Sequence, residues 1–183
     1  DIGLVYFESE IAGISPAVLY DGAAPLDEVG TSVGYGRTGT GNTGDTGGPG
    51  TKRAGNNVID LLGGYEGWSN NIILSDFDNP DGPGESYSGD DTALDLEYLT
   101  APGDSGGGVF IDDNGEWKLA AIHSFGASYD GETNSDYGDV MGSTLVTPFI
   151  PWIEQTMTAI PTPTAAVAGL ALLAVGRIRR RVS

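Results

Sequence analysis

Residues 101–110 read APGDSGGGVF and place a single serine, Ser105, inside a run of glycines. A serine becomes a nucleophile when a base activates it and when backbone N–H groups stabilise the oxyanion that forms. Glycine at position 103 leaves room for a substrate carbonyl beside such N–H groups. The stretch therefore predicts an acyl-transfer site, provided that the rest of the chain supplies the other parts.

The same residues also fit the pattern Gly-x-Ser-x-Gly, in which Gly103 and Gly107 would flank the nucleophile of an α/β-hydrolase. In that fold the serine leads directly into a helix. Here Ser105 is followed by GGGVFI, which ends in an apolar run typical of a strand. The sequence therefore favours a serine in a β-rich setting.

The composition limits the class of protein. The chain has 183 residues, enough for one ordinary domain and a tail, and a formal net charge of -18 at pH 7. So acidic a surface repels phosphates, which excludes nucleic acid as a partner. The absence of cysteine excludes disulfides and thiolate chemistry. Thirty glycines between short runs of Val, Ile, Tyr and Phe favour an all-β body.

Apolar runs bounded by turn residues predict short strands joined by long polar loops, as in a small β-barrel. An apolar strand is expected at 1–7, and the glycine-rich segment 38–50 is expected to be a loop. The segment 147–157, TPFIPWIEQTM, predicts one short amphipathic helix with Thr147 as its N-cap. The six barrel strands are expected at 30–35, 57–62, 71–77, 107–111, 117–124 and 140–146.

Four further segments, together with GDSGG, resemble the trypsin/chymotrypsin family of serine peptidases. DIGL at 1–4 resembles the family's Asp-Ile-Ala-Leu, and GYG at 34–36 resembles its Gly-Trp-Gly. LAAIHSFG at 119–126 is similar to the strand that ends in Ser-Trp-Gly, and 147–157 is similar to the final helix with its Trp-Ile. The segments occur in the family's order and at its spacing.

The resemblance implies an all-β protein of the chymotrypsin type, which is a double β-barrel closed by a short C-terminal helix. Residues 1–26 would be the last strand of the first barrel and the connector between barrels, and 27–159 would be the second barrel with the helix. We therefore expect the chain to be truncated at its N-terminus relative to such a peptidase.

The resemblance also implies roles for individual residues. Ser105 would be the nucleophile, the N–H groups of Gly103 and Ser105 the oxyanion hole, and Asp104 the buried carboxylate that supports this loop. Asp1 would orient the catalytic histidine, which we expect upstream of it, since in this family the histidine precedes the aspartate. His123, the one histidine of the chain, is not assigned as the base.

The substrate pocket is expected to include Ser124, Phe125 and Gly126, with which substrate backbone would pair. Counting back from the serine places Leu99 at the pocket base, so cleavage after Lys or Arg is not expected. Two preferences remain open. Leu99 and Phe125 would form an apolar pocket, whereas Thr100 and His123 would bind a glutamate side chain, as in the glutamate-specific branch of the family.

Residues 160–183 resemble the PEP-CTERM sorting tails of exported bacterial proteins. Pro161-Thr162-Pro163 is followed by an apolar run at 165–175 and a cluster of arginines. Since that run is shorter than the roughly 20 residues of a membrane span, a sorting tail is favoured over an ordinary tail anchor. Either one predicts a secreted or cell-surface monomer whose tail transiently contacts the membrane or sorting machinery.

The acidic loop at 76–91 offers hard oxygen ligands for calcium, with Asp76, Asp78 and Asp81 as candidates and a solvated acidic turn as the alternative. The function expected from the sequence is that of a serine endopeptidase, which cleaves protein or peptide substrates through an acyl-enzyme on Ser105 and requires no cofactor. The alternatives are a non-catalytic surface-binding protein that keeps the peptidase fold, and a calcium-stiffened structural protein.

Overall fold

A computed structural model describes residues 1–9, 11–82, 89, 91–128 and 131–159 of the chain. The strands in these ranges are β1 (Val18–Leu19), β2 (Val29–Gly34), β3 (Thr38–Thr40), β4 (Gly44–Gly47), β5 (Arg53–Val58), β6 (Leu61–Leu62), β7 (Ile72–Asp76), β8 (Gly108–Asp113), β9 (Glu116–Ala127) and β10 (Val140–Leu145). Two 3-10 turns, Gly63–Glu66 and Thr147–Phe149, and one helix, α1 (Ile150–Ala159), complete the described elements.

The main sheet has the order β5-β2-β8-β9-β10-β7-β6, with β1 pairing in parallel with β9. Its two outermost strands are consecutive in sequence, because β5 ends at Val58 and β6 begins at Leu61. The chain between them, at Ile59 and Asp60, bonds to Glu28 and Leu74 on opposite sides. The sheet is therefore strongly curled into a half-barrel shape, and the expected all-β class is confirmed.

The core lies inside the curl. β2 alternates between buried and more exposed positions, as expected of a strand with one face on a core, while every residue of β10 is buried. Ala120 and Ala121 on β9 are fully buried. The buried core cluster consists of Ile59, Ile73, Val109, Ile111, Ala120, Ala121 and Leu145.

Three local predictions about strands are wrong. The segment 57–62 is not one strand, because β5 ends at Val58 and β6 begins at Leu61. The segment 1–7 does not form a strand, and most of it is exposed, because none of the described residues offers it a pairing partner. The segment 38–50 is not a simple loop, since β3 and β4 form a hairpin within it. The hairpin is held from outside, by the bond from the Asp45 N–H to the Asn134 carbonyl (2.7 Å), which no local pattern could reveal.

The predicted helix is confirmed, but its N-cap is not. The Thr147 hydroxyl donates to the Tyr20 carbonyl at 2.8 Å, so it does not cap a helix. α1 begins at Ile150 and forms a unit apart from residues 1–149. Pro151 lies in its first turn, where its missing N–H costs no hydrogen bond.

No helix among the described residues is long and apolar enough to span a membrane. The predicted tail at 160–183 lies outside these residues.

Asn57 acts as a strut between three segments of the chain. Its side chain is 1% exposed, and its amide nitrogen donates to the Asp76 carbonyl at 2.6 Å and to the Tyr98 carbonyl at 2.9 Å. It thereby joins β5 to the end of β7 and to the segment that precedes GDSGG. A buried carbonyl that loses its donor pays its full desolvation cost.

We predict that Asn57→Ala lowers the free energy of unfolding by about 1–3 kcal/mol for each carbonyl left without a donor. Chemical denaturation would measure this. The matched control is Asn42→Ala, since Asn42 is exposed. Equal small losses in both variants would contradict the role of Asn57 as a strut.

Candidate active site

The turn that carries Ser105 is fixed by short backbone bonds. The Asp104 N–H donates to the Ala101 carbonyl at 3.0 Å, and the Gly107 N–H donates to the Asp104 carbonyl at 2.8 Å. The Gly106 N–H donates to the carbonyl of His123 at 2.9 Å, which attaches the turn to β9. The backbone around Ser105 is therefore held from both sides, while Ser105 itself is exposed.

Gly103 is required by its conformation and by its surroundings. Its φ is +102°, in the left-handed region that disfavours side chains, and a Cβ there would lie 3.2 Å from the Gly36 Cα. Within the described part of the chain, neither the Gly103 N–H nor the Ser105 N–H donates to any group. Both predicted oxyanion donors are therefore available to a ligand.

Asp104 is buried, as predicted for the residue that supports the loop. Its carboxylate accepts the Gly36 N–H at 2.6 Å through Oδ1 and the Ala101 N–H at 3.0 Å through Oδ2. A Cβ at Gly36 would lie 2.6 Å from the Asp104 Cγ, so only glycine leaves room for this carboxylate. The carboxylate thus joins the chain after β2 to the chain before Ser105.

His123 is a buried, neutral residue. Its side chain is 3% exposed, its Nδ1 shares a 3.0 Å hydrogen bond with the Ser143 hydroxyl, and its Nε2 has no partner among the described residues. Burial lowers the pKa of His123 to about 4, although the charge of Asp104 opposes the shift. An imidazole of such low basicity, not bonded to Ser105, is a poor general base.

A cavity of about 140 Å³ brings Ser105 together with most of the predicted pocket. Thr133 and Ser135, which the sequence did not suggest, also line it. The predicted residues on its wall are Thr100, His123, Ser124, Phe125 and Gly126.

Leu99, the predicted base of the pocket, lines a second cavity of about 220 Å³ instead. Thr100 lines the cavity that contains Ser105, so Leu99 and Thr100 face different cavities although they are adjacent in sequence. The second cavity also contains Tyr98 and Asp104, and Ser135 contributes to both cavities.

Asp1 is exposed and does not line the cavity that contains Ser105. Its backbone nitrogen lies 3.1 Å from the Thr144 hydroxyl oxygen, which places Asp1 beside β10. Its role in orienting a histidine stays a prediction.

The calcium candidates divide into buried and exposed residues. Asp76 and Asp78 are 1% and 3% exposed, whereas Asp81 lies at the surface. No group of three or more His, Cys, Asp or Glu side chains is arranged to hold a metal ion within the described ranges, which omit 83–88 and 90. Calcium binding therefore stays a prediction.

Buried acids instead form a cluster at the end of β7. Burial, and then the charge of Asp76, raises the pKa of Asp60 well above the usual carboxyl range. Burial also raises the pKa of Glu97 to about 7, with the charge of Asp78 adding to the shift. Protons are therefore held in the folded protein at pH values where an exposed carboxyl would have lost them.

Besides Thr133, sequence reasoning missed three residues that shape the site. Tyr98 packs its ring on His123, Ser143 binds the His123 imidazole, and the Ser135 hydroxyl donates to the Thr100 carbonyl at 3.0 Å. None belongs to a motif: Ser143 reaches His123 through the pairing of β10 with β9, whereas Tyr98 and Ser135 lie in loops. A single sequence carries no signal that would have found them.

The curled half-barrel sheet and the short C-terminal helix match a fragment of the chymotrypsin-like fold. Among solved structures the chain is similar to neuropsin, a serine protease expressed in the limbic system of mouse brain, with a TM-score of 0.55 and 17% identity. The match covers 79% of this chain and 54% of that chain, so the chain spans about half the length of neuropsin. No protein-family model and no curated protein matches.

We predict that the melting temperature falls as the pH rises from about 5 to 8. Between the unfolded and the raised folded pKa values, the folded protein keeps protons that the unfolded chain has lost, so this stabilisation is present at low pH and disappears as the pH rises through the folded pKa. For Glu97 the interval runs from 4.5 to about 7. Asp60→Asn should make this decline less steep. The melting temperature should fall less, by roughly 2–4 °C for each kcal/mol of unfolding free energy that the variant retains.

Thermal unfolding at a series of pH values would test this, with Asp95→Asn as the control because Asp95 is exposed. A decline of the same slope in both variants would show that the buried acid cluster does not carry the pH dependence.

Proposed function

We propose that the chain carries the nucleophile, oxyanion hole and specificity pocket of a serine endopeptidase. One observation supports this above all: Ser105 is exposed beside a cavity, on a turn whose two candidate oxyanion donors are available and whose Asp104 is buried beneath it. The serine peptidase fold supports the same class. The function itself rests on this arrangement, because a likeness at 17% identity concerns the fold alone.

In the proposed reaction, the Ser105 Oγ attacks the carbonyl carbon of the scissile peptide bond while a general base accepts its proton. The N–H groups of Gly103 and Ser105 stabilise the resulting oxyanion. The C–N bond then breaks, the protonated base gives its proton to the leaving amine, and water hydrolyses the ester on Ser105. No cofactor takes part in these steps.

No residue among these 183 is assigned as the general base. His123 is unsuited to the role because its Nδ1 is engaged with Ser143 and burial keeps its pKa low. We propose that a histidine upstream of Asp1 serves as the base and that Asp1 orients it.

Substrate backbone can be added to β9. Its pairing with β8 ends at Ile122, while its pairing with β10 continues to Ala127. The β8-facing edge at Ser124 to Gly126 is therefore not paired with another described strand. An extended peptide bound there would receive main-chain hydrogen bonds and place its side chain in the pocket beside Ser105.

We propose that this pocket prefers glutamate. The buried Nε2 of His123 lacks a partner among the described residues, and Thr100 and Ser135 add polar atoms to the same wall. Leu99, which would have made the pocket apolar, faces the other cavity. Phe125, the main apolar residue left, packs edge-on against Trp68 at 4.9 Å, so its ring already has a partner.

We also propose a location for the enzyme outside the cytoplasm. The acidic composition and the sorting-type tail at 160–183 support a monomer exported by a bacterium and held for a time at the membrane or by sorting machinery. Its substrates would then be proteins or peptides outside the cytoplasm.

We expect a fluorophosphonate probe to label the full-length protein stoichiometrically at Ser105. Ser105→Ala should remove the label and lower peptide hydrolysis by about 10⁶-fold, the loss seen when a triad serine is removed. Mass spectrometry of the labelled peptide identifies the site. Ser15→Ala is the control, since Ser15 is exposed and far from GDSGG in sequence. A folded wild-type protein that takes no label would instead support the non-catalytic binding protein.

We expect peptides that differ only in the residue before the scissile bond to rank with Glu above Gln, Phe, Leu and Lys in kcat/KM. His123→Ala should abolish the lead of Glu and leave the other rates within about threefold, because only the carboxylate needs the imidazole. A lead of Phe or Leu that survives in His123→Ala would establish the apolar pocket instead.

A further inference from the structure

The carboxylate of Asp104, which lies beneath the Ser105 turn, is a buried charged group. Asp104 is 5% exposed, and the donors found for its carboxylate are two backbone N–H groups. The ion pairs of the described residues involve other acids: Arg37 pairs with Asp45, and Lys118 pairs with Asp113 and Glu116. A buried carboxylate needs every donor that its surroundings can supply.

The Tyr98 hydroxyl is such a donor. Its oxygen is buried and has no hydrogen-bond partner of ordinary geometry among the residues described. Gly34 shows how close it lies to Asp104, because a Cβ at that glycine would collide with the Asp104 Oδ1 and lie 2.9 Å from the Tyr98 hydroxyl oxygen. The Asp104 carboxylate and the Tyr98 hydroxyl therefore both lie next to the same glycine.

The backbone of Tyr98 is fixed so that its side chain must enter this space. Its N–H donates to the Asn56 carbonyl at 2.9 Å, and its carbonyl accepts the Asn57 amide at 2.9 Å. A Cβ at Gly55 would lie 2.6 Å from the Tyr98 Cβ, so this glycine is also needed. Glycines on β2 and β5 thus leave room for one tyrosine.

The ring of Tyr98 meets the pocket as well. It stacks on the His123 imidazole, with ring centroids 6.0 Å apart and an angle of 28° between the planes. Tyr98 therefore contacts the pocket wall with its ring and approaches the support of the oxyanion hole with its hydroxyl.

We propose that Tyr98 is a positioning residue: its hydroxyl donates a hydrogen bond to the Asp104 carboxylate and so holds the Gly103–Ser105 turn in its oxyanion-binding conformation. This inference rests on the proposed peptidase function.

The hydroxyl remains a donor over the working pH range. Burial raises the pKa of Tyr98 above its usual range, and the charge of Asp104 raises it further. The proton is therefore kept at neutral and moderately alkaline pH.

Tyr98→Phe in the full-length protein tests the inference, because it removes one oxygen and keeps the ring. We expect kcat and the rate of fluorophosphonate labelling to fall about 10- to 100-fold, since a slightly misplaced oxyanion hole loses transition-state contacts, while KM changes less than about twofold. Tyr65→Phe is the matched control, a loss of the same oxygen from a side chain that is 75% exposed.

A thermal double-mutant cycle with Tyr98→Phe and Asp104→Asn tests the contact independently of catalysis. If the hydroxyl and the carboxylate interact, the double variant melts close to Asp104→Asn alone; additive shifts would overturn the proposed bond. A non-additive cycle with unchanged kcat would leave Tyr98 a structural role and overturn the positioning role. If wild type takes no label, the proposed function fails and the catalytic role of Tyr98 with it, while the cycle still decides whether the bond exists.

Discussion

The hydrogen bonds of one buried carboxylate, that of Asp104, determine how the site is arranged. The carboxylate binds the chain after β2 through Gly36 and the chain before Ser105 through Ala101. It thereby links the turn that carries the serine to the end of β2, while the Gly106 N–H links the same turn to β9. The carboxylate needs room, and this is why the end of β2 carries glycines at 34 and 36. One acid thus accounts for the conformation of the serine turn and for glycines that lie far from it in sequence.

The elements that the sequence predicted well are those whose pattern is local. The strands at β2, β7, β8, β9 and β10 combine apolar runs with nearby turn residues, and the helix has its own periodicity. The errors arose where pairing with a distant segment decides whether a strand forms. The segment 1–7 is apolar enough for a strand, yet a strand also needs a neighbour. The hairpin of β3 and β4 is built from Gly and Thr, and the Asp45 bond to Asn134 stabilises it from another part of the chain.

The site shows the same division. Gly103, Asp104 and Ser105 are contiguous, so a motif could assign them, and the resemblance of LAAIHSFG to a strand of the family placed His123 in the pocket. Leu99 was placed by counting residues, which cannot show that successive side chains face different cavities. Tyr98 and Ser143 depend on strand register and on space left by glycines, which are properties of the assembled sheet. Tyr98 and Ser143 can be recognised as site residues only from their distances to Asp104 and His123 in the folded structure.

The glycines of this chain also differ in how freely they can diverge. At Gly34, Gly36 and Gly55 a single added carbon would meet Asp104 or Tyr98, whereas at Gly48 a Cβ would meet nothing within 4 Å. Evolution can therefore replace the second kind one at a time, but the first kind can change only together with the side chain it accommodates. Related sequences should thus retain or lose Gly34, Gly55 and the tyrosine as a set, and a homologue with alanine at one of these glycines marks a lineage that supports its serine turn in another way.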